Sequence, residues 1–319
     1  MWEQTLKQIN PLVTPYKAAN LWQADADSLK LVSDGINLVY RFNALGQGRY
    51  LRITHPLLRS QLELQSAIDF QCYLYEQDVP VCQPIKSSLG NYIEVIRQAE
   101  QTYFAQVFAE VPGKIMHFNF AKPKPYEIWG QALAKLHQAA KYYQPKPHLQ
   151  FKTWQNLWAE ITAYMPISAE FIRSEYQAID IWLKTLSLDT AHYGLTHADH
   201  RLDNILYDGR KIYIIDFDEP VYHWFSSDIA RPFLNLCEQD FTKWQVKFEA
   251  FLTGYNSILV LSQAQVESIP WHIRMKNLDI YLWTKHHWHN PIAPGGGSTK
   301  RWLNQLEKLI LNPVTRLNL

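Results

Sequence analysis

The sequence predicts an α+β fold of two lobes: a small β-rich N-terminal lobe with one main helix and a larger, mostly helical C-terminal lobe. Three observations support this prediction. β-prone segments and turn residues are concentrated before residue 110, helical periodicity dominates after it, and Glu110-Val-Pro-Gly113 separates the two regions. We therefore place the N-terminal lobe at residues 1–108, the C-terminal lobe at 109–319 and a hinge at about 106–113.

The N-terminal lobe is expected to hold a β-hairpin, a helix and two further strands. Ala44-Leu-Gly-Gln-Gly48 supplies turn residues between two β-prone runs. After them, apolar residues recur at helical spacing until Asp78-Val-Pro-Val-Cys82 breaks the pattern. The expected elements are strands at 37–43 and 49–54, a helix at 57–76 and strands near 92–96 and 102–108.

The C-terminal lobe is expected to be helical apart from one β-hairpin. The hairpin prediction comes from Asp208-Gly209 between two short apolar runs, because Asp-Gly favours a tight hairpin turn. The glycine- and proline-rich stretch 291–298 is expected to be a loop. The expected elements are helices at 126–142, 151–165 and 168–186, hairpin strands at 204–207 and 211–215, and helices from there to the end.

Composition excludes several classes of protein. The chain has 319 residues, and 31 basic and 30 acidic residues leave a formal charge of +1, so no polyanionic partner such as nucleic acid is indicated. Its three cysteines form no CxxC motif, which favours reduced thiols over disulfides or zinc. No signal peptide or membrane-spanning run is visible, so we expect a cytoplasmic protein without a membrane partner.

Acidic and amide side chains flank the predicted hairpin. Asp199 and Asn204 precede its first strand, and Asp216 and Asp218 follow its second. Because a hairpin brings its two ends together, we expect two or three carboxylates and an amide oxygen to gather there. Such a set of oxygen ligands suits Mg²⁺ that also binds substrate phosphates.

This set of side chains also suits phosphoryl transfer. The metal neutralises phosphate charge, and one aspartate that is not a metal ligand can accept the proton of the attacking hydroxyl. We assign Asp199 as that base and Asn204 and Asp216 as the metal ligands.

The motif His197-x-Asp199-x4-Asn204, followed by Ile215-Asp-Phe-Asp218, resembles the catalytic signature of the aminoglycoside phosphotransferase and choline kinase superfamily. Protein kinases are relatives with comparable motifs. The resemblance implies a bilobal kinase-like fold, ATP and Mg²⁺ as cofactors, and a small-molecule hydroxyl as acceptor. It implies catalytic roles for His197, Asp199, Asn204 and Asp216.

Several N-terminal segments fit the same resemblance. Ser33–Tyr40, with Gly35 and Asn37, resembles the nucleotide loop of this superfamily, and Arg52 stands where a basic residue reaches the α- and β-phosphates. A helix glutamate normally pairs with that basic residue. Ala67 occupies the expected position here, so Glu63, one helical turn earlier, is our candidate partner.

Other segments fit the resemblance further along the chain. The backbone of Val107, Phe108 and Ala109 is expected to hydrogen-bond the adenine. Gly130-x2-Leu-Ala-x-Leu-His137 resembles a helix typical of the superfamily, with His137 in a structural role. Asp228-Ile-Ala230 matches the triplet that follows the metal motif, and Asp228 is expected to anchor the catalytic loop.

The acceptor stays open at this point. A polycationic, aminoglycoside-like acceptor would need an acidic pocket, and a choline-like acceptor would need an aromatic cage. Ile215-Asp-x-Asp-Glu-Pro220 is similar to spectinomycin-type phosphotransferases. The acidic candidates are Asp218, Glu219, Glu238 and Asp240, and the aromatic candidates are Trp224, Tyr281, Trp283 and Trp288.

Two alternative functions are compatible with the sequence: a non-catalytic kinase-like nucleotide-binding protein, and a Ser/Thr protein kinase of the same fold. The shifted helix glutamate and the arginine at position 52 favour the first of these. The intact Asp199, Asn204 and Asp216 argue against it. His286, His287 and His289 cluster along the chain, but their spacing lacks the accompanying carboxylates expected of a metal site.

Overall fold

The computed structural model describes residues 14–35, 37–98, 100–116, 122–234, 241–293 and 296–314. The chain forms two compact units, each built from three segments. The first unit contains Met1–Lys114, Tyr143–Phe151 and Leu206–Glu219, and the second contains Ile115–Tyr142, Lys152–Ile205 and Pro220–Leu319. The units therefore differ from the two continuous stretches expected from the sequence, because two segments beyond residue 109 belong to the first unit.

The first unit is built on an antiparallel sheet of six strands. They follow the order β1-β2-β3-β6-β4, and β5 also pairs with β6. The predicted hairpin and the two later strands are confirmed, and one edge strand precedes them. The strands are β1 (Lys30–Asp34), β2 (Leu38–Ala44), β3 (Gln47–Thr54), β4 (Pro84–Ile85), β5 (Ile93–Gln98) and β6 (Gln101–Ala109).

Helices cover both faces of this sheet. Strand β2 alternates buried and half-buried residues, as expected when successive side chains point to opposite faces. On one face, Trp22, Phe42 and Val107 belong to a buried cluster beside helix α1 (Thr14–Asn20). On the other, Leu64 and Ile68 of helix α2 pack on Phe104. Helix α2 spans Gln61–Glu76 and confirms the predicted helix.

The predicted hairpin after the catalytic motif is confirmed. Its strands β10 (Ile205–Tyr207) and β11 (Ile212–Ile214) pair, and β7 (Lys114–Ile115) pairs with β10. The turn forms because Gly209 adopts a φ of 98°, and the Asp208 carboxylate accepts hydrogen bonds from the backbone N–H groups of Arg210 and Lys211. The Ile214 N–H donates to the Pro80 carbonyl at 2.8 Å, which links the hairpin to the segment around Pro80 within the first unit.

The second unit is mostly helical, as predicted. Its helices are α3 (Lys124–Ala140), α4 (Trp154–Thr162), α5 (Glu170–Leu183), α6 (Phe225–Ala230), α7 (Phe241–Asn256), α8 (Gln263–His287) and α9 (Thr299–Leu311). Each is amphipathic or buried, and residues from α4, α5, α8 and α9 share one apolar core. Within the described ranges, none of the helices combines the length and apolarity that crossing a membrane requires, and this includes the 25-residue α8.

The second unit also holds a small sheet that the sequence did not predict. Its order is β8-β12-β9, and it comprises β8 (Lys152–Thr153), β9 (Tyr193–Thr196) and β12 (Val221–Trp224). Lys152 and Thr153 fall inside the stretch predicted as helix 151–165, so that boundary was wrong. Strands of two to four residues carry little local signal, because their pairing partners and not their intrinsic preference stabilise them.

Helices α3 and α7 approach each other at two glycines. A Cβ at Gly130 would lie 2.0 Å from the Phe251 carbonyl oxygen, and one at Gly254 would lie 1.8 Å from the Glu127 carbonyl oxygen. Both glycines are therefore required by the close contact of the two backbones, even though glycine disfavours a helix interior.

Besides His197 of the catalytic motif, the second unit buries four histidines: His137, His200, His223 and His272. Burial lowers the pKa of all four and brings that of His223 to about 4. Within the described residues, neither ring nitrogen of His272 has a hydrogen-bond partner. The folded state therefore holds these imidazoles neutral.

We expect Gly130→Ala to lower the free energy of unfolding by about 1–3 kcal/mol, because the added methyl group collides with a backbone carbonyl. The gain of up to about 1 kcal/mol in helix propensity is too small to offset this loss. Urea denaturation followed by circular dichroism measures the difference. Gln138→Ala on the exposed face of the same helix is the control, and equal stability of the two variants would contradict the close packing.

We expect acid to destabilise the fold below pH 6.5. A histidine whose folded pKa is depressed stabilises the protein above its unfolded pKa, and this contribution is lost as the pH falls toward the folded value. Each such histidine can remove up to about 2 kcal/mol between pH 6.5 and pH 5. Urea denaturation at pH 7.5, 6.5 and 5 tests this. His272→Met should reduce the loss, the exposed His148→Gln should not, and a pH-independent stability would disprove the interpretation.

Candidate active site

The catalytic loop of the second unit is held by a buried carboxylate. Asp228 in helix α6 accepts hydrogen bonds from the backbone N–H groups of His197 at 2.7 Å and Ala198 at 2.8 Å. Ala198 has a φ of 66°, which is unfavourable for a residue with a Cβ. The carboxylate therefore stabilises a strained turn directly before Asp199, and these hydrogen bonds are of the kind that the predicted anchoring role of Asp228 requires.

A second layer of hydrogen bonds supports Asp228. His137 Nε2 lies 3.1 Å from an Asp228 carboxylate oxygen, and His137 Nδ1 lies 2.8 Å from the Tyr255 hydroxyl. Burial alone would raise the pKa of the Asp228 carboxyl, but its hydrogen bond to His137 and the neighbouring histidines lower it below its usual range. Helices α3, α6 and α7 thus cooperate to keep this carboxylate charged.

The Asp199 carboxylate lies among positive charges. Arg231 Nε and Nη2 both donate to Asp199 Oδ1, at 3.1 and 2.8 Å, and Arg201 Nε lies 3.3 Å from Oδ2. The Asp199 side chain is still 42% exposed. Burial by itself would raise the pKa of Asp199, but Arg231, Arg201 and Lys276 outweigh it and lower that pKa to about 2.

The Asn204 side chain is oriented by Asp199. Its Nδ2 donates to the Asp199 backbone carbonyl at 2.9 Å and to Asp199 Oδ2 at 3.2 Å. The amide nitrogen therefore faces the aspartate, and the amide oxygen stays available as a ligand for a cation.

The first unit holds the other predicted carboxylates, and both pair with Arg52. Arg52 Nη1 lies 2.7 Å from Asp216 Oδ1 and also contacts Asp218. Asn37 Nδ2 donates to Asp218 Oδ2 at 2.8 Å, and Thr54 Oγ1 donates to Asn37 Oδ1 at 2.8 Å. Burial and the neighbouring Asp216 charge raise the pKa of Asp218 above its usual range, against the opposing effect of Arg52.

Asp216 occupies a strained backbone position. Its φ is 70°, and its side chain is 39% exposed. The flanking residues fix this conformation, because Ile214 is tied to Pro80 and the buried Phe217 ring packs edge-on against Phe70. Strained residues over-determined by their surroundings are typical of functional sites.

The structure corrects the predicted partner of Arg52. Glu63 Oε2 accepts hydrogen bonds from the backbone N–H and the hydroxyl of Ser60, which makes it part of the N-terminal cap of α2. Arg52 takes its carboxylates from Asp216 and Asp218 instead. The capping-box spacing Ser-x-x-Glu is the sequence signal for this role.

The segment predicted to bind adenine lies at the end of a strand. Val107, Phe108 and Ala109 are the last residues of strand β6, which lies between β3 and β4, and the Ala109 N–H donates to the Gln83 carbonyl at 2.8 Å. Hydrogen bonding of adenine by this backbone stays a prediction. The segment that follows, Glu110–Gly113, lies outside the strands.

Gly35 lies at a bend between β1 and β2. A Cβ there would lie 3.7 Å from Ser33 Oγ, an ordinary contact, so neither space nor a positive φ requires glycine. Its role in phosphate binding stays a prediction.

The predicted acceptor-binding residues have different surroundings. Trp224 is only 4% exposed, donates to the Ser187 carbonyl and contacts the Trp154 ring in a tilted arrangement, so its assignment to an open aromatic cage was wrong. Trp283 is 40% exposed, with its ring 6.2 Å from that of Trp288. Glu219 pairs with Arg59. The candidates Glu238 and Asp240 lie outside the described residues.

Two functional features were missed by the sequence analysis. Arg231 follows Asp228-Ile-Ala230 directly, and this position was the only available signal for its contact with Asp199. The contact of His137 with Asp228 joins two motifs that had been interpreted separately.

The described residues contain no group of three or more His, Cys, Asp or Glu side chains arranged for a metal ion. Magnesium in phosphoryl-transfer sites needs fewer protein ligands, because it keeps several waters and binds substrate phosphates. The Asn204 amide oxygen in the second unit and the Asp216 carboxylate in the first unit are each a hard oxygen ligand of the kind that Mg²⁺ prefers, so the chemistry of each residue fits this ion.

Comparison with known proteins supports the motif assignment. The family model for the phosphotransferase enzyme family matches residues 28–258. Amicoumacin kinase of Bacillus subtilis (strain 168) is 25% identical over 276 residues, which cover 83% of this chain and 82% of that protein. A homoserine kinase of Methylobacillus glycogenes is 26% identical over 275 residues, covering 83% and 81%.

Solved structures show the same fold. Amicoumacin kinase in complex with AMP-PNP, Ca²⁺ and Ami has a TM-score of 0.87 at 23% identity, covering 100% of this chain and 98% of that chain. Spectinomycin phosphotransferase with ADP and spectinomycin has a TM-score of 0.67 at 14% identity, covering 95% and 98%. The protein-kinase-like α+β fold is therefore confirmed, and the chain belongs to the phosphotransferase enzyme family.

Proposed function

We propose that the chain is an ATP- and Mg²⁺-dependent kinase that phosphorylates a hydroxyl of a small molecule. In this proposal, Asp199 accepts the hydrogen bond and then the proton of that hydroxyl. The catalytic loop carries this proposal. Asp228 fixes its backbone, Asn204 is hydrogen-bonded to Asp199, and the Asp199 carboxylate remains partly exposed. A pre-organised carboxylate beside a metal-ligand amide is the arrangement that phosphoryl transfer requires.

The low pKa of Asp199 determines how its carboxylate can interact with the acceptor hydroxyl. A carboxylate whose pKa is about 2 stays ionised at neutral pH and accepts a hydrogen bond from the acceptor hydroxyl. In a loose transition state, little proton transfer is needed before the new bond forms. Asp199 therefore acts mainly by orienting the hydroxyl and receives its proton late.

Phosphoryl transfer requires only ATP and the acceptor alcohol as reactants. The acceptor oxygen forms a bond to the γ-phosphorus of ATP while the bond from that phosphorus to the β–γ bridging oxygen breaks. The hydroxyl proton passes to Asp199 and then to water, and ADP leaves. Positioning and electrostatics supply most of the rate enhancement in such a reaction.

We propose that Asn204 and Asp216 provide oxygen ligands to Mg²⁺. Bound magnesium supplies positive charge that offsets the charge of the phosphates. The orientation of the Asn204 amide and the exposure of Asp216 support these roles.

Arg52 is proposed to bind ATP phosphates, with Gly35 and Asn37 in the adjoining turn. The Arg52 Nε–H is buried and has no hydrogen-bond partner among the described residues, so the guanidinium keeps an unused donor. Arginine can fork onto phosphate oxygens. On nucleotide binding, Arg52 would share its charge between the phosphates and its present partners, Asp216 and Asp218.

The acceptor is proposed to be a small alcohol that also carries charged groups. The two relatives compared above are named for amicoumacin and homoserine. A choline-like acceptor is less well supported, because Trp224 and Tyr281 are both buried and cannot form an open aromatic cage.

We expect Asp199→Asn to reduce kcat for phosphorylation by about 10³-fold or more, because general-base assistance and hydroxyl orientation are lost together. ATP binding should persist. ADP release measured against homoserine, choline, ethanolamine, spectinomycin and aminoglycosides tests the turnover, and titration calorimetry tests the binding.

Asp203→Asn is the matched control, since Asp203 lies in the same loop with a more exposed side chain. If Asp199→Asn turns over any acceptor at the rate of the control, Asp199 does not have the proposed role. Magnesium-dependent ATP binding without turnover in the wild type would favour a nucleotide-binding protein instead.

We expect Asp216→Asn to weaken magnesium-dependent ATP binding about tenfold or more, because one anionic metal ligand is lost. Calorimetric titration with ATP in the presence of Mg²⁺ and in excess chelator measures the effect. Asp78→Asn is the control, because Asp78 is an exposed aspartate with a similar φ of 57°. An unchanged magnesium dependence in Asp216→Asn would remove this residue from the metal site.

A further inference from the structure

Arg231 differs from the other two cations around Asp199. Arg201 also lies 3.7 Å from Asp203, and Lys276 pairs with Asp279 at 2.7 Å. Among the described residues, Arg231 has Asp199 as its only acidic partner. Within the described residues, Arg231 therefore depends on Asp199 for charge compensation, whereas Asp199 also has Arg201 and Lys276 nearby.

The contact between Arg231 and Asp199 affects how a hydroxyl can approach. Both donated hydrogen bonds of Arg231 go to Oδ1, while Asn204 Nδ2 and Arg201 Nε lie beside Oδ2. Oδ1 therefore accepts two hydrogen bonds, and Oδ2 accepts one from Asn204 and forms an ion pair with Arg201. An acceptor hydroxyl has to compete with one of them for a lone pair of Asp199.

Another carboxylate can relieve this competition. A guanidinium binds carboxylates through parallel N–H donors, and Arg231 Nη1 has no hydrogen bond in the described part of the chain. The Arg231 side chain is 16% exposed, so a ligand can reach it. If the carboxylate of a ligand replaced Asp199 as the partner of Arg231, Asp199 Oδ1 would become free to accept a hydrogen bond from the acceptor hydroxyl.

The local charge also disfavours the polycationic acceptors considered from the sequence. Arg231, Arg201 and Lys276 all act on Asp199. A second ammonium group placed next to the reacting hydroxyl would be repelled by these charges, whereas a carboxylate would be attracted.

We propose that Arg231 is the receptor for a carboxylate of the acceptor, so that the preferred substrates are hydroxy acids whose carboxylate exchanges with Asp199 on Arg231. This inference rests on the proposed kinase function and adds the substrate class. The exchange involves no covalent step: one ion pair is replaced by another, and the oxygen released accepts the hydrogen bond of the hydroxyl that is to be phosphorylated.

The position of Arg231 in the fold suits this role. Arg231 begins the short 3₁₀ turn Arg231–Phe233, three residues after Asp228, which holds the loop of the base. One segment therefore positions both the base and the proposed carboxylate receptor. A short hydroxy acid bound to Arg231 through its carboxylate would therefore hold its hydroxyl close to Asp199.

The experiment compares homoserine with 3-amino-1-propanol, which has the same hydroxyl, carbon chain and ammonium group but no carboxylate. ADP release gives kcat and KM for both acceptors with wild type and Arg231→Gln. The wild type is expected to prefer homoserine. Arg231→Gln is expected to raise the KM for homoserine about 10- to 100-fold, and to leave that for aminopropanol within about threefold.

Two further variants separate binding from folding or positioning. Arg231→Lys keeps the charge without the forked donors and is expected to recover part of the homoserine KM. The exposed Arg301→Gln, in helix α9, carries the same change away from the site and should match the wild type. Thermal denaturation checks that each variant is folded.

Several results would overturn the inference. An equal fall in kcat with both acceptors in Arg231→Gln would make Arg231 only a positioning residue for Asp199. Wild-type turnover of aminopropanol in preference to homoserine would reject a carboxylate receptor and leave the kinase function intact. Lack of turnover with both homoserine and 4-hydroxybutanoate would also reject it, and ADP release with the remaining acceptors then decides separately on the kinase function.

Discussion

The buried carboxylate of Asp228 is the constraint on which the catalytic loop depends. It accepts two consecutive backbone N–H groups and thereby holds Ala198 in a left-handed conformation. Without these bonds the strained turn would relax, because a positive φ costs about 1–2 kcal/mol for a residue with a Cβ. The directions of Asp199 and Asn204 both follow from this turn.

Asp228 stays charged because the surrounding core supplies hydrogen bonds. His137 on α3 contacts it, and Tyr255 on α7 contacts His137. The two helices can serve this network only because Gly130 and Gly254 let their backbones approach closely. The conformation of the catalytic loop therefore depends on how tightly helices α3 and α7 pack. This dependence is expected when a polar network is buried in a tightly packed interior.

The pKa values of Asp199 and Asp218 differ because their surroundings differ. Asp199 lies among three cations, which lower its pKa to about 2, whereas burial and a neighbouring carboxylate raise the pKa of Asp218. One residue type thus provides a carboxylate that stays charged in the second unit and a partner for Arg52 in the first. The difference arises from neighbours that are distant in sequence.

The sequence alone determined the features whose cause is local. Asp208-Gly209 specified its hairpin turn, the Ser60–Glu63 spacing encoded a helix cap, and the catalytic motif placed Asp199 and Asn204 in one loop, because these depend on residues a few positions apart. The helical character of the second unit followed from apolar periodicity in the same way.

Only the tertiary structure decided which distant groups meet. The partners of Arg52 lie about 160 residues away in the chain, Arg231 reaches Asp199 from 32 residues away, and Trp224 is buried by helices that sequence spacing does not locate. The short strands β8, β9 and β12 likewise exist because they pair with each other. Long-range pairing is set by packing and charge compensation across the whole fold, which local propensities do not contain.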